Sequence, residues 1–467
     1  MKAVIMAGGE GTRLRPLTCG RPKPMVPVAN KPVMEHIIDL LKKHGITNVA
    51  ATLQYMPDMI RDYFEDGSKF GIRLRYYVEH KPLGTAGSVK NAEDFLDGTF
   101  LVISGDALTD IDLISAVRFH MEKNATATLV LKRVDVPLEY GVVVTDGDGR
   151  IIRFLEKPGW GEVFSDTVNT GIYILSPEVL EYIKPGTAFD FSKDLFPMLM
   201  RDNKRLYGYI TEDYWCDIGD TAAYIRAHSD VMNGIAKVDI PGEEMEAGIR
   251  VGIGTEIDDG ALLRAPCIIG SGCRIRANAE IGSYSVIGDN SIVSGRCGIK
   301  RSIIWKNCFL GENVQLRGSI ICGNVHIKNG AAAFEQSIVG EHSLVDEHAI
   351  IRPSVKIWPD KYIRQGAEVS ANIVWGSKAG RQIFGARGAG GQVNTDITPE
   401  FAARLGAAYG ASIGNKGNIG VSFDGTNSAL MIKHAVISGL LSSGVWACRL
   451  RKADLAGIKV GCQVLQA

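Results

Sequence analysis

Aliphatic residues recur at every sixth position through the second half of this chain, and this period constrains the fold more than any other feature. The runs are Ile257, Leu263, Ile269, Ile275, Ile281, Ile287, Val293 and Ile299; then Leu310, Leu316 and Cys322; then Val339, Val345, Ile351, Ile357 and Ile363. An α-helix would need a period of about 3.6 residues and a half-buried strand a period of about 2. A period of six is instead typical of a left-handed parallel β-helix, in which each hexad forms one flat side and three hexads form one coil. The first run is too long for chance spacing to be a good alternative.

The period slips at two places within the predicted β-helix, which we assign to residues 250–374. Eleven residues separate Ile299 from Leu310, and seventeen separate Cys322 from Val339. We expect a loop or a tightened corner at each slip.

Residues 1–235 have a different pattern, in which short apolar runs alternate with helical periodicity. The segment 2–9, KAVIMAGG, predicts a strand that meets a glycine loop, and the segment 33–45 predicts a helix that stops at Gly45. Such alternation predicts an α/β domain whose parallel sheet is covered by helices on both faces. Ligands of such sheets bind beyond the carboxyl ends of the strands.

A third region, residues 380–467, follows a Gly-, Arg- and Ala-rich linker. Thr398, Pro399 and Glu400 have the residue types of a helix start, with Thr398 as the N-cap. A strand, a second helix and another strand are predicted after it, which is a small α/β unit.

Composition excludes several classes of protein. Acidic and basic residues number 52 each, so there is no net basic field that would favour nucleic acid or an anionic membrane. No run of 18 or more apolar residues predicts a membrane span, and the N-terminus lacks the pattern of a signal peptide. The nine cysteines include no C-x-x-C pair, so we expect no zinc site and reduced thiols in a cytoplasmic protein.

A glycine loop directly follows the first strand. It contains Gly8, Gly9, Gly11, Thr12 and Arg13. Glycines let backbone N–H groups close around phosphate oxygens, and an arginine can neutralise a pyrophosphate with paired donors. Neither a Walker pattern nor G-x-G-x-x-G is present. Lys23, between two prolines, adds a second cation; a bare glycine turn is the alternative interpretation.

Six motifs then follow in order: AGGEGTRLRPLT with RPKPMVPVANKP (7–32), EHKPLGTAGS (79–88), VISGD (102–106), FLEKP (154–158), NTGIY (169–173) and YWCDIGD (214–220). They resemble the nucleoside-diphosphate-sugar pyrophosphorylases over essentially all of residues 1–235. The resemblance implies a Rossmann-like nucleotidyltransferase domain that joins a nucleoside triphosphate to a sugar 1-phosphate and releases pyrophosphate. With the hexad region, the motifs look most like mannose-1-phosphate guanylyltransferases, so GTP and mannose 1-phosphate are the expected substrates. Uridylyl or thymidylyl transfer to glucose 1-phosphate is the alternative.

The resemblance also implies roles for particular residues. The catalytic residues would be Arg13, Lys23 and Asp106, and Mg²⁺ would be held by Asp106 and Asp217. The nucleotide would be bound by Gly8, Gly9, Gly11, Thr12, Gln54, Gly84 and Thr85, and the sugar phosphate by Gly141, Glu156, Lys157 and Asn169. Taken alone, Asp106 would equally fit a helix cap, Asp217 a turn, and Glu156 with Lys157 an exposed ion pair worth under about 1 kcal/mol. Lys193 and Asp194 also lie in a family motif, and we interpret them as partly structural.

The segment FGARGAGGQVNTDITPEFAARLGAAYG (384–410) resembles the first part of a phosphohexomutase such as phosphomannomutase. The T-A-S-H-N-P string that carries the phosphorylated serine in that family does not occur in this chain, so we expect no mutase activity from the tail alone. A mutase-like tail favours mannose 1-phosphate as the sugar substrate, because fused domains often handle successive steps. This argument is an association and not a mechanism.

Two further functions are alternatives. A non-catalytic regulatory subunit that binds nucleotide sugar should have lost Arg13, Lys23, Asp106 or Asp217, and all four are present. An acyltransferase site in the hexad region would need an exposed histidine base, for which His326, His342 and His348 are candidates, but loop or surface histidines explain them better. We expect a homo-oligomer, since the flanks of β-helices commonly form subunit contacts.

Overall fold

The computed structural model describes residues 1–156, 159, 165–375, 378–379, 384–385, 388–390, 393–394, 397–413 and 418–449. It contains an N-terminal α/β domain, a left-handed parallel β-helix and a small C-terminal α/β unit. The predicted fold class is confirmed.

The N-terminal domain alternates strands and helices as predicted. Its strands are β1 Lys2–Met6, β2 Pro27–Val28, β3 Lys31–Pro32, β4 Asn48–Leu53, β5 Arg73–Val78, β6 Phe100–Ser104, β7 Ala107–Thr109, β8 Ala127–Arg133, β9 Gly141–Thr145, β10 Ile151–Glu156, β11 Thr167–Leu175, β12 Leu206–Thr211 and β13 Trp215–Asp217. Its helices are α1 Val33–Lys43, α2 Pro57–Phe64, α3 Gly84–Lys90, α4 Leu113–Glu122, α5 Phe196–Arg201 and α6 Thr221–Met232. Short 3-10 turns include Thr12–Leu14 and Lys23–Met25.

The central sheet has the order β10-β9-β11-β6-β1-β4-β5; β8 pairs with β11, and β12 pairs with β8. Strands β6, β1, β4 and β5 are parallel, as the alternating pattern predicts. Strand β11 is antiparallel to its neighbours β6, β8 and β9, so the sheet is mixed and the predicted parallel pairing does not extend to β11. No helix lies between β9 and β10, and a direct turn between adjacent strands produces an antiparallel pair.

Helix α1 shows how sequence pattern becomes packing in this domain. Its buried face is Val33, Met34, His36, Ile37, Ile38, Leu40 and Leu41. The helix ends just before Gly45, which has a φ of 72° and donates its N–H to the carbonyl of Lys42 at 2.9 Å. Glycine reaches this left-handed conformation without steric cost, which is why the helix stops where the sequence predicts.

The β-helix is built from three flat parallel sheets. The first contains β15 Ile249–Val251, β18 Cys267–Ile269, β21 Ser285–Ile287, β24 Ile303–Ile304, β27 Ile320–Ile321, β30 Ile338–Val339 and β33 Lys356–Ile357, with β14 Glu243–Glu246 antiparallel at its edge. The second contains β16 Glu256–Ile257, β19 Arg274–Ile275, β22 Ile292–Val293, β25 Phe309–Leu310, β28 His326–Ile327, β31 Leu344–Val345, β34 Tyr362–Ile363 and β36 Lys378–Ala379. The third contains β17 Leu262–Leu263, β20 Glu280–Ile281, β23 Gly298–Lys300, β26 Gln315–Arg317, β29 Ala332–Ala333, β32 Ile350–Ile351 and β35 Glu368–Val369.

Both slips of the hexad period are tightened corners between the third sheet and the first. Ile304 pairs with Ile287 and joins the β-helix core only five residues after Ile299. The same shortening recurs one coil later, where Ile321 follows Leu316 by five residues. The period is regular from Ile321 onward, so the second slip lies before residue 322 and not after it.

Cys322 is therefore not part of the inward row to which the sequence pattern assigned it. Ile321 takes the inward position, and Cys322 is buried on the outer side against the N-terminal domain. The described cysteines at 19, 216, 267, 273, 297, 308 and 322 are free thiols.

The outer face of the first β-helix sheet packs against the N-terminal domain. One row of that face, Ile268, Val286, Ile303, Ile320 and Ile338, belongs to the same buried cluster as α1, α6 and the central sheet. Trp305 extends this contact, since its indole N–H donates to the hydroxyl of Tyr224 at 2.9 Å. The two domains thus share one buried hydrophobic cluster, and each has a further core of its own.

The C-terminal unit contains α7 Pro399–Ile413, β39 Asn418–Val421, α8 Asn427–Ser442 and β40 Trp446–Arg449, preceded by the short strands β37 Phe384–Gly385 and β38 Gly388–Ala389. Thr398 caps α7 as predicted, accepting the N–H of Phe401 at 3.2 Å. Strands β39 and β40 are parallel across α8. Much of the predicted linker lies outside the described residues. None of the described helices is long and apolar enough to cross a membrane.

His36 on α1 predicts an acid sensitivity of this fold. Burial lowers its pKa to about 4, and its Nε2 donates to the carbonyl of Val28 at 3.0 Å. The pKa of a histidine in the unfolded chain is about 6.5. As the pH falls from that value toward 4, the unfolded chain therefore binds a proton at His36 before the folded chain does, and the free energy of unfolding decreases. We expect the wild type to lose about 2 kcal/mol more unfolding free energy between about pH 7 and pH 5 than His36→Gln.

Urea denaturation at both pH values measures this difference. His434→Gln is the matched control, since His434 is exposed on α8 and its replacement should preserve the wild-type pH dependence. An identical pH dependence in His36→Gln and the wild type would contradict the prediction.

Candidate active site

The glycine loop presents a row of unused backbone donors at the carboxyl end of β1. None of the N–H groups from Gly8 to Arg13 donates a hydrogen bond within the described part of the chain. Gly11 turns the loop with a φ of 69°, and a Cβ there would lie 2.9 Å from the Cβ of Lys23. Its carbonyl accepts the hydroxyl of Thr18 at 2.7 Å. Consecutive unpaired N–H groups of this kind form an anion-binding concavity.

Lys23 lies between the two aspartates that the sequence singled out. Its Nζ is 2.6 Å from Oδ2 of Asp106 and 2.9 Å from Oδ1 of Asp217. Asp106 follows β6, and Asp217 ends β13, whose antiparallel register places it opposite Ala107. Ser104 donates to the other carboxylate oxygen of Asp106 at 2.5 Å. Three segments far apart in sequence are thereby joined at one point.

Lys23 and the two aspartates shift one another's pKa values. Burial opposes the charge of Lys23, but the two carboxylates outweigh burial and raise its pKa. Burial also raises the pKa of Asp106, yet Lys23 and Ser104 lower it by more, so it lies below its usual value. The pKa of Asp217 is raised, because burial and the charge of Asp106 together outweigh Lys23. Burial and the neighbouring carboxylate therefore disfavour the ionised form of Asp217.

The pair of aspartates fits a divalent metal ion that the substrate helps to hold. Both carboxylates converge on a position that a single cationic nitrogen now fills. Within the described ranges, no group of three or more His, Cys, Asp or Glu side chains encloses a metal position. Hard ions such as Mg²⁺ commonly take one or two carboxylates and complete their shell with phosphate oxygens and water.

Arg13 lies on the open side of the same cluster. Its guanidinium pairs with Glu139 at 3.3 Å, and both side chains are more than half exposed. A Cβ on Gly219 would lie 3.4 Å from Nη2 of Arg13 and 3.1 Å from Oδ2 of Asp217. Because an exposed ion pair is weak, Arg13 is free to exchange Glu139 for an incoming anion.

A second group of predicted residues surrounds the glycine loop from the next strands. A Cβ on Gly8 would meet the Cβ of Gln54 at 3.4 Å and Oε1 of Glu79 at 4.0 Å. Glu79 is buried, and it accepts the N–H of Leu83 at 3.1 Å and the hydroxyl of Ser88. Glu79 thus organises the turn into α3 beneath the predicted nucleotide position.

Gly84 begins α3 under tight backbone constraint. Its φ is 69°, and a Cβ would lie 2.6 Å from the carbonyl oxygen of Phe189. The hydroxyl of Thr85 is fully engaged, since it donates to Asp190 at 2.8 Å and accepts the N–H of Phe191 at 2.9 Å. Thr85 therefore holds the loop in place with its side chain, whereas the adjacent backbone remains the surface offered to a ligand.

The predicted sugar-side residues meet where β9, β10 and β11 lie together. Glu156 pairs with Gly141 across the strands, and a Cβ on Gly141 would lie 2.8 Å from Oε2 of Glu156. The glycine thus makes room for the carboxylate of Glu156. Lys157 lies outside the described residues.

Asn169 is oriented by two hydrogen bonds. Its amide nitrogen donates to the hydroxyl of Tyr173 at 2.8 Å, and its oxygen accepts the N–H of Gly171 at 3.1 Å. A Cβ on Gly171 would lie 3.1 Å from the Cβ of Ser104, the residue that contacts Asp106. This chain of contacts connects the sugar-side residues to the aspartate cluster.

Sequence reasoning missed Glu79, Glu139 and Tyr173. A usable signal existed for Glu79, which directly follows β5 as Gln54 follows β4 and Asp106 follows β6. Side chains just beyond neighbouring parallel strands meet at one sheet edge. Asp190 caps the turn at Phe191–Leu195 and Asp194 accepts its N–H, which agrees with the structural interpretation of that motif.

Three protein families match successive parts of the chain. Residues 2–234 match the family described as nucleotidyl transferase, and residues 263–374 match the GMPPB C-terminal domain. Residues 381–457 match the phosphoglucomutase/phosphomannomutase alpha/beta/alpha domain I.

This chain aligns with most of the length of several curated relatives. A UTP–glucose-1-phosphate uridylyltransferase of Synechocystis is 38% identical over 71% of this chain and 90% of that protein. A mannose-1-phosphate guanylyltransferase of Mycobacterium tuberculosis is 35% identical over 64% of this chain and 83% of that protein. A mannose-1-phosphate guanyltransferase of Debaryomyces hansenii is 32% identical over 70% of this chain and 93% of that protein.

Proposed function

This chain belongs to the nucleotidyl transferase family and is a sugar-1-phosphate nucleotidyltransferase, and on that premise we propose that it makes GDP-mannose from GTP and mannose 1-phosphate. The observation that carries the reaction class in the structure is Lys23 held between Asp106 and Asp217 beside the row of unused N–H groups. That arrangement offers donors to a triphosphate and carboxylates to a metal ion within one site.

The proposed reaction is an in-line displacement. A phosphate oxygen of the sugar 1-phosphate attacks the α-phosphorus of the triphosphate, the bond from that phosphorus to the bridging oxygen breaks, and pyrophosphate leaves with the electron pair. The backbone donors of Gly8 to Thr12 bind the triphosphate, and Arg13 exchanges Glu139 for the leaving pyrophosphate. Such reactions need positioning and charge neutralisation more than covalent help from the protein.

Enzymes of this family generally use a divalent metal ion, and we propose Mg²⁺ for this one. Asp106 and Asp217 would hold it, and when bound it supplies further positive charge against the phosphate oxygens. Lys23, whose ammonium group now contacts both aspartates, would then turn its charge toward the substrate phosphates.

Binding of the two substrates is assigned to the two flanks of this cluster. Gly9, Gly11, Thr12, Gln54 and the turn at Gly84–Thr85 would contact the nucleotide, with Glu79 fixing that turn. Gly141, Glu156 and Asn169 would contact the sugar, and Lys157 its phosphate. The amide of Asn169 can serve both donors and acceptors on sugar hydroxyls.

GTP and mannose 1-phosphate are favoured over the alternative by two independent features. The β-helix matches the GMPPB C-terminal domain, and the tail matches a phosphoglucomutase/phosphomannomutase domain. The second candidate is uridylyl transfer to glucose 1-phosphate, favoured by the 38% identity to the Synechocystis uridylyltransferase.

A substrate matrix tests the proposal. Each of four nucleoside triphosphates is paired with mannose 1-phosphate and with glucose 1-phosphate, and pyrophosphate release is measured. The highest kcat/KM is expected for GTP with mannose 1-phosphate; a preference for UTP with glucose 1-phosphate would replace the first candidate by the second. No release with any pair would instead favour a regulatory subunit.

Deletion of residues 376–467 is expected to leave nucleotidyl transfer within about twofold of the full chain. The C-terminal unit buries its own cluster around Ile419, Leu440 and Val445, and none of the site residues described above belongs to it. The measurement is kcat/KM of the soluble truncation. A folded truncation that has lost activity would show that the tail supports the site.

We also propose that the chain is a cytoplasmic homo-oligomer. The second β-helix sheet presents an outward row of mainly apolar side chains, Ile292, Phe309, His326, Leu344 and Tyr362, aligned by strand pairing. His342 and His348 lie at β-helix corners with positive φ, which supports their interpretation as corner residues and not as acyltransferase bases. The molar mass in solution by light scattering tests the oligomer.

A further inference from the structure

The β-helix reaches into the segment that carries Lys23. Arg21, two residues before Lys23, forms an ion pair with Glu341, and both side chains are mostly buried. The guanidinium of Arg21 also lies 4.3 Å from the centre of the Trp305 ring. Glu341 and Trp305 both belong to the β-helix, which therefore holds Arg21 by a charge on one side and an aromatic face on the other.

The approach of the two domains at this point depends on a glycine. A Cβ on Gly20 would lie 2.7 Å from Oε2 of Glu341. Any larger residue would push the carboxylate of Glu341 away from Arg21. The segment is thus shaped to accept Glu341 beside Arg21.

The far end of the same segment is tied to the same tryptophan. The indole of Trp305 donates to the hydroxyl of Tyr224, and that hydroxyl donates to the carbonyl of Pro27 at 2.7 Å. Asn30 adds a third tie, donating to the carbonyl of Ile287 at 2.7 Å. Lys23 lies between these points of attachment.

We infer that Arg21 is a positioning residue for nucleotidyl transfer, through which Glu341 and Trp305 of the β-helix hold the backbone of Lys23 beside Asp106 and Asp217. The inference rests on the proposed function. It makes the β-helix part of the catalytic unit, because a displacement of the segment by about 1 Å is enough to cost a reaction of this kind a large factor in rate. Arg21 itself contacts none of the three residues of the cluster and acts through the backbone that it shares with Lys23.

The first test separates kcat from KM in the full chain. Arg21→Met and Glu341→Gln are each expected to lower kcat about tenfold or more, with the KM for the sugar 1-phosphate changed less than about threefold. Arg21→Lys keeps the charge opposite Glu341 and is expected to recover part of the loss. The double variant Arg21→Met with Glu341→Gln should be no worse than Arg21→Met alone, since both remove one interaction.

Tyr284→Phe is the matched control at the same domain interface. It removes the hydrogen bond from Tyr284 to Asn233, at 3.0 Å, without touching the Lys23 segment. Its kcat should stay within about twofold of the wild type. An equal loss in Tyr284→Phe, or an unchanged kcat in a folded Arg21→Met, would overturn the inference.

Amide hydrogen exchange tests the positioning role of Arg21 without a measurement of enzyme activity. The amides of Met25 and Val26 are protected by bonds to Pro22 and Lys23, and their exchange should be about tenfold faster in Arg21→Met but not in Tyr284→Phe. Unchanged exchange rejects the positioning role even if activity falls. If the wild type proves inactive with every substrate pair, the proposed function fails, and faster exchange still identifies the tie between the β-helix and the Lys23 segment.

Discussion

Asp106→Asn is expected to lower metal-dependent pyrophosphate release at least about a hundredfold while the fold survives. The substitution removes one of two carboxylates that would hold the metal ion, and the amide that replaces it has no charge. Lys23 keeps its contact with Asp217, so a buried lysine is not left without a partner. Removal of the charge of Asp106 should also lower the pKa of Asp217, since that charge is one of the causes that raise it. Asp217→Asn should have a similar effect on rate.

The measurement is kcat as a function of Mg²⁺ concentration, together with a circular dichroism spectrum that establishes folding. Asp97→Asn is the matched control, because Asp97 is 78% exposed and forms its ion pair with Lys2, away from the cluster. It should retain wild-type turnover. Turnover within a few fold of the wild type in folded Asp106→Asn would reject the metal assignment.

Gly84→Ala is expected to lower kcat/KM for the nucleoside triphosphate by about ten- to a hundredfold. An alanine at a φ of 69° is strained by about 1–2 kcal/mol. Its Cβ would also meet the carbonyl oxygen of Phe189 at 2.6 Å, and that oxygen accepts the N–H groups of Ala86 and Gly87. Because all these atoms belong to the backbone, the strain can be relieved only by moving the turn into α3 that we assign to the nucleotide.

Gly98→Ala is the matched control for Gly84→Ala. A Cβ at Gly98 meets nothing within 4 Å, and its φ is not in the left-handed region. The triphosphate KM, kcat and melting temperature should be those of the wild type in this variant. If Gly84→Ala binds and turns over the triphosphate normally, the turn at Gly84 does not contact the nucleotide.

The β-helix shows how much of a fold the period of apolar residues can predict. Repetition at every sixth residue predicts the architecture, because inward side chains must recur once per flat side whatever the rest of the sequence does. Periodicity located the first shortened corner, between Ile299 and Ile304, but assigned the second one too late in the chain. Cys322 and Ile321 are both buried and apolar, so only strand pairing distinguishes the inward residue from the outward one.

The candidate site was predicted in part from motifs, and its residue roles remain proposals. Sequence singled out Lys23, Asp106 and Asp217 separately, and no spacing could indicate that one ammonium group contacts both carboxylates. Thr85 illustrates the opposite case, since its motif suggested ligand contact and its hydroxyl is engaged within the protein.

Local sequence by itself determined the architecture. The hexad period, the alternation of strand and helix, and the caps and glycines at the ends of some helices act over a few residues and need no distant partner. The tertiary structure alone decided which strand of the central sheet is antiparallel, which aspartates share Lys23, and that Glu341 lies against Arg21. Those contacts join residues separated by tens to hundreds of positions, so their geometry is set by how whole domains pack. The physical reason is that the period of apolar residues indicates which side of an element is buried. The residues that this side packs against are determined only by the tertiary structure.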